Sequence, residues 1–330
     1  MNQNKFLIFM QRSWLIVLVI AVFLGSVISL FIPWNITGLT SHPNPAQSYE
    51  DAIKRIAATQ NSNTAKMNPD CETQFMTNGK KVEQVIVMVH GYTNCPKQFQ
   101  ELGQKFFDAG YNVLIAPLPH HGLVDRMTDE QGQMTAQELA TYADTVVDIA
   151  HGLGEKVIMV GISAGGATTA WAAQNRSDLD MAVIISPAFG FKQVPTPLTA
   201  PVMNIYATLP DSYEWWEPDK QANAGPTHTY PRYSKFGLSQ TLRIGFSVQT
   251  KARQEAPAAK KLLIITNAND ESVNNNLTYE ITANWRQHGA NISTYEFPLE
   301  LKLVHDLIDP AQEKQQIDLV YPRLIDLITK

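Results

Sequence analysis

Cysteine is scarce in these 330 residues: only Cys71 and Cys95 occur, and they do not form a C-x-x-C pair. That rules out the paired-thiol redox motif and the thiolate zinc sites. The chain also has no H-E-x-x-H string and no glycine pattern for cradling phosphates, so metal and nucleotide chemistry lack their usual residues. Charge is sparse. Asp, Glu, Lys and Arg make up 17% of the chain, the net charge is −5 and no basic block is present, which excludes nucleic acid as an expected partner. Apolar residues are plentiful at 44%, and a chain of this length can bury a full core.

One stretch has no charge at all. Residues 13–33 read SWLIVLVIAVFLGSVISLFIP, long enough to cross a bilayer as a helix, and Lys5 and Arg12 precede it. The pattern predicts a transmembrane signal anchor with residues 1–12 in the cytoplasm, Trp14 and Trp34 at the two interfaces, and the rest exported to the periplasmic or extracellular side. A cleaved signal peptide is the alternative, although no clear A-x-A site follows. Residues 34–70 read as a polar juxtamembrane spacer with one short amphipathic helix over 49–58. Export would put Cys71 and Cys95 in an oxidising space, where a disulfide between them is expected.

From residue 71 onward the chain reads as one α/β domain. Apolar, β-branched runs at 85–89, 112–117, 156–160, 181–186, 261–266 and 292–297 predict strands. Helical patterns at 99–110, 135–151, 164–175, 274–289 and 317–329 alternate with them, which implies a mostly parallel sheet covered on both faces. Residues 189–259 break the rhythm with eight prolines and the aromatic group Tyr213, Trp215, Trp216, Tyr230, Tyr233 and Phe236. So long a departure reads as a lid insertion, and Trp215 and Trp216 are its candidate substrate-binding residues.

The chemistry centres on Gly161-Ile162-Ser163-Ala164-Gly165, between a strand and a helix. A sharp strand-to-helix turn leaves room only for small neighbours and holds the serine hydroxyl at the positive end of a helix. Ser163 is the candidate nucleophile. It needs a base and a group to orient that base, in the chain order serine, acid, histidine. Of eight histidines only His305 follows the last strand; His90, His120, His121 and His151 precede the serine, His228 lies in the insertion and His288 closes a helix. Asp270, just past the strand over 261–266, is the candidate acid, with Glu271 as runner-up; Asp306 is disfavoured because it would point away from its neighbour's ring. The N–H groups of Ala164 and of Tyr92, after the turn at His90-Gly91, are the candidate oxyanion donors. His90 reads as a brace for that turn.

VMVHGYTNCP, PLPHHG, VGISAGG, NANDESV and LVHD together resemble the α/β-hydrolase superfamily, in particular its bacterial esterase and monoacylglycerol-lipase-like branch of serine aminopeptidase type, over 84–330. The resemblance implies a carboxylic ester hydrolase acting on a small ester or lipid-like substrate without metal or cofactor; the N-terminal anchor, read from the uncharged run, and the insertion depart from the family pattern. An amidase or peptidase is the alternative within the class, because Asp211, Glu214, Glu217 and Asp219 could anchor a substrate amine. A non-catalytic binding module on the same fold is the alternative outside it.

Overall fold

The computed structural model describes residues 3–61 and 66–330, with the backbone alone for 3–13 and 60–61. Two helices come first, α1 (Gln3–Leu30) and α2 (Tyr49–Asn61). The domain then runs β1 (Gln74–Met76), β2 (Val82–Val89), α3 (Gln100–Asp108), β3 (Asn112–Ile115), α4 (Ala136–Leu153), β4 (Gly154–Ile162), α5 (Ala164–Asn175) and β5 (Met181–Ile185). After α6 (Thr199–Thr208) and the hairpin β6 (Tyr213–Trp215) and β7 (Arg232–Ser234) come α7 (Lys235–Ala252), β8 (Leu262–Asn267), α8 (Asn275–Gln287), β9 (Ile292–Phe297) and α9 (Ile317–Thr329).

Seven strands form one sheet in the order β1-β3-β2-β4-β5-β8-β9, parallel throughout except for β1 at the edge. Alternate side chains of β2 feed opposite faces, Val85, Val87 and Val89 with α4, α5, α7 and α8, and Ile86 and Met88 with α3 and α9. Each expected strand and helix of the domain is present, and α4 starts where a capping box permits: Thr135 accepts from Glu138 N, and Glu138 accepts from Thr135 N.

Three expectations need correction. Residues 34–61 are not a free spacer. Ser41 Oγ and His42 N donate to Asp144, Asn44 N donates to Asp148, and Ala52 and Ile56 of α2 are buried in the core beside α4. The insertion is not loop throughout, because 235–252 is a helix buried with α5; its glycines, serines and threonines hid the apolar period. Finally, among the described residues no helix is long and apolar enough to cross a membrane. Lys5 and Arg12, which were to set the orientation of the anchor, have side chains outside the described residues. Trp34 is no free interfacial ring either: its indole donates to Ser29 O and its backbone N–H to Asn204 Oδ1.

Candidate active site

Ser163 sits between β4 and α5 with φ 57° and ψ −117°, a left-handed conformation that a non-glycine residue holds only when its surroundings force it. Its N–H donates to Ile185 O at 3.1 Å, and its carbonyl accepts from Ala167 N and Ala188 N, both at 2.9 Å. The flanking glycines are a steric requirement. A Cβ on Gly161 would overlap the Gly165 carbonyl, and one on Gly165 would overlap the carbonyl of Val89.

His305 Nδ1 donates to Asp270 Oδ2 at 2.8 Å, which leaves Nε2 as the nitrogen free to act as base. The Asp270 carboxylate has no exposure, while the His305 side chain keeps 21%. The second oxygen of Asp270 accepts from Ser272 N at 2.9 Å and Val273 N at 3.0 Å. Burial alone would raise the Asp270 pKa, but His305 and these donors outweigh it and hold the group below its ordinary value, as a carboxylate. Burial likewise works against charge on His305; the nearby Asp270 and Asp306 carboxylates overcome it and raise the imidazole above its ordinary value. The loops are tied together by asparagines that the sequence reading did not single out: Asn267 and Asn269 both donate to Leu303 O, two residues before His305. Glu271 is exposed at the cavity wall, and no bond joins its side chain to His305 among the described residues.

Gly91 carries the oxyanion loop over the serine; a Cβ there would lie 3.5 Å from that of Ser163. His90 does brace the turn. Its Nδ1 donates to Gly91 O and its Nε2 accepts from Leu118 N, each at 2.9 Å, and burial drives its pKa down to about 3, so the ring is neutral. The backbone N–H of Tyr92 and that of Ala164, at the first turn of α5, donate to no other group among the described residues. Two such donors beside a helix N-terminus suit a developing oxyanion.

Ser163 and His305 open onto one cavity of about 780 Å³. Trp215 and Trp216 line it, with Tyr206 and Tyr233. Trp216 also reaches the oxyanion loop: its Nε1 donates to Thr93 Oγ1 at 2.9 Å. The expected Cys71–Cys95 disulfide is present and ties that loop to the chain entering the domain.

Residues 80–296 match the family model of the serine aminopeptidases (S33), Hydrolase_4. A thermostable monoacylglycerol lipase of Bacillus sp. (strain H-257) is 25% identical over 120 residues, 34% of this chain and 44% of that protein, so the match spans less than half the relative's length. Among solved structures, one described with LipS and LipT, two metagenome-derived lipolytic enzymes, superposes with a TM-score of 0.61 at 21% identity, covering 80% of this chain and 99% of its own. The monoacylglycerol lipase of Paleococcus ferrophilus does so at 0.56 and 18%, covering 78% and 97%. The monoglyceride lipase of Saccharomyces cerevisiae gives 0.57 and 13%, covering 78% and 90%. The fold and the family match agree with the elbow built here, and the chain belongs to the serine aminopeptidase (S33) family of α/β-hydrolases.

Proposed function

We propose that this chain is a serine hydrolase of carboxylic esters bearing one apolar acyl chain, monoacylglycerols among them, working through an acyl-enzyme. The observation that carries the reading is the His305–Asp270 pair at 2.8 Å, which opens onto the same cavity as a serine in a strained elbow. In the proposed cycle Ser163 Oγ attacks the ester carbonyl while His305 Nε2 takes its proton, and the carbonyl oxygen becomes an oxyanion held by the N–H groups of Tyr92 and Ala164. Collapse breaks the carbon–oxygen bond to the alcohol, which leaves with the proton from His305. Water, deprotonated by the same nitrogen, then releases the acid. Asp270 keeps the ring in the tautomer that makes Nε2 the base.

Two observations favour esters over peptide amines. The relatives matched here are named as lipases and lipolytic enzymes. Of the four acids of the insertion that could anchor an amine, three are engaged elsewhere, with Asp211 accepting from Ser234 Oγ and Phe236 N, Glu214 paired with Lys235 and Glu217 paired with Lys220, while Asp219 is not among the residues that line the cavity. A wall that combines aromatic rings with Glu271 and Lys314 suits a substrate that joins an acyl chain to a polar alcohol.

We further propose that α1 holds the domain at a membrane on the exported side, supported by the exposed apolar side chains between Trp14 and Ile28 and by the disulfide. Full-length chain is expected to sediment with membranes and resist alkaline extraction; recovery in the supernatant would count against the anchor. The enzymatic reading is tested by assaying native protein and Ser163→Ala on monoacylglycerols, short acyl esters and aminoacyl anilides. Ester turnover that falls by about a million-fold, to background, in the variant is expected. Unchanged hydrolysis, or turnover of the anilides alone, overturns it.

A further inference from the structure

Behind His305 lies a group of buried polar side chains that no step of the proposed acyl transfer uses. Asp306, half-buried at the wall of the same cavity, accepts five hydrogen bonds. Oδ1 takes Gln98 Nε2 at 2.7 Å, Asp309 N at 3.2 Å and Ile308 N at 3.4 Å; Oδ2 takes Asn94 Nδ2 at 2.9 Å and Gln312 Nε2 at 3.0 Å. Burial and the neighbouring Asp309 push its pKa above the ordinary carboxylate value, and the five donors, which favour the charged form, work against that rise. Asn94 also donates to Asp309 Oδ2 at 3.1 Å, and His228 Nε2 meets that same oxygen at 2.8 Å.

Gln98 completes a path to the oxyanion loop. The side chain is 2% exposed, and its Oε1 accepts from Gly91 N at 2.8 Å while its Nε2 reaches Asp306. A carboxylate at one end and an N–H at the other fix which way the amide faces, because exchanging its oxygen and nitrogen would break both bonds. His90 holds Gly91 O, the carbonyl of the very peptide that presents the Tyr92 N–H.

We propose that Gln98 and Asp306 are positioning residues for acyl transfer: the path Asp306–Gln98–Gly91 sets the Tyr92 N–H against the loop that carries His305, so base and oxyanion donor share one rigid frame. This rests on the Ser163–Asp270–His305 reading above. The Asp306 charge has a second effect, favouring the imidazolium that His305 becomes as the serine proton is taken.

Gln98→Met keeps the side-chain length and loses both bonds. An interaction that counts only in the transition state lowers kcat and leaves KM in place, so a fall of about 10- to 100-fold in kcat with KM within about two-fold is expected. Asp306→Asn is nearly isosteric and keeps an oxygen for Gln98 but loses the acceptor for Asn94 and Gln312, so it should lower kcat by less than Gln98→Met. It should also move the acid limb of kcat/KM to lower pH, since the charges facing His305 are those of Asp270 and Asp306, with Asp309 and His228 behind them and Glu271 on the cavity wall. Gln98→Glu sets two carboxylates against each other; adding Asp306→Asn restores a donor–acceptor path, and the double variant should recover at least about ten-fold over Gln98→Glu alone. Melting temperature and burst titration of active sites accompany each assay. Losses confined to melting temperature and active fraction, with kcat per titrated site and the acid limb unchanged, overturn the proposal, as does a double variant no better than Gln98→Glu. Wild-type turnover by Ser163→Ala would instead sink the triad on which it rests.

Discussion

Asp270 and Glu271 are neighbours, yet only one can serve as the acid. Asp270 is buried with one oxygen on His305 and the other on two backbone N–H groups; Glu271 is exposed and fixed by its carbonyl, which accepts from Gln193 Nε2. Asp270→Asn should therefore cost about 10³–10⁴-fold in kcat, while Glu271→Gln stays within a few-fold. Side-by-side kinetics decide it, and reversed losses would move the acid to Glu271. The pH profile follows from the same contacts. His305 is raised by Asp270, and a protonated imidazole cannot take the serine proton, so kcat/KM should rise with pH along a limb set above the ordinary imidazole value of about 6.5. A limb below that value would mean the histidine is not held by an ionised partner. At this scale Ser163, Asp270 and His305 are legible in the sequence because each falls at a fixed place relative to a strand. Asn94, Gln98 and Asp309 are not, since their partners lie elsewhere in the chain: Asn94 and Asp309 are 215 residues apart, and no local pattern marks such a pair.

Elements were legible where the period was clean. The strands that build the sheet stand out as β-branched runs, α4 follows from its apolar spacing, and α5 follows from its place after the serine turn. The insertion resisted for two physical reasons. Prolines obscured α6 and the hairpin, and α7 buries Leu238, Leu242, Ile244, Phe246 and Val248 together with Gly237, Ser239, Thr241, Gly245 and Ser247, so small and polar residues on the packed faces blur its apolar period. The hairpin reaches the candidate site. Trp216 donates to Thr93 Oγ1 and Tyr230 N donates to Thr93 O at 2.8 Å, so the insertion grips the residue after Tyr92. Replacing Trp215 and Trp216 with alanine should change the ratio of kcat/KM on long and short acyl esters by about ten-fold, the value of roughly 1.4 kcal/mol of apolar contact. Trp216→Phe keeps the ring and removes the N–H, so it should lower kcat on both esters alike. An unaltered ratio in the double alanine variant would place the acyl chain elsewhere in the cavity.

Over the whole molecule, segments the sequence reads as linker are parts of the domain. Residues 34–61 dock on α4 through Asp144 and Asp148, and the same two aspartates hold Arg176, which is fully buried. The Cys71–Cys95 disulfide completes this enclosure. It joins the entry to the domain with the loop that runs from Tyr92 to Gln98, and it closes a loop with a sequence separation of 24. Constraining the unfolded chain over that length contributes about 3 kcal/mol. Cys71→Ser with Cys95→Ser should therefore lower the free energy of unfolding by about that amount, with a steeper urea slope because the unfolded chain is no longer constrained. Because Cys95 stands next to Asn94, which bonds Asp306 and Asp309, the same change should loosen the frame around the oxyanion donor and lower kcat as well as stability. Protein from an exporting host should show no free thiol when denatured without reductant. Two free thiols per chain would remove the bridge, and with it the support the disulfide lends to an oxidising compartment.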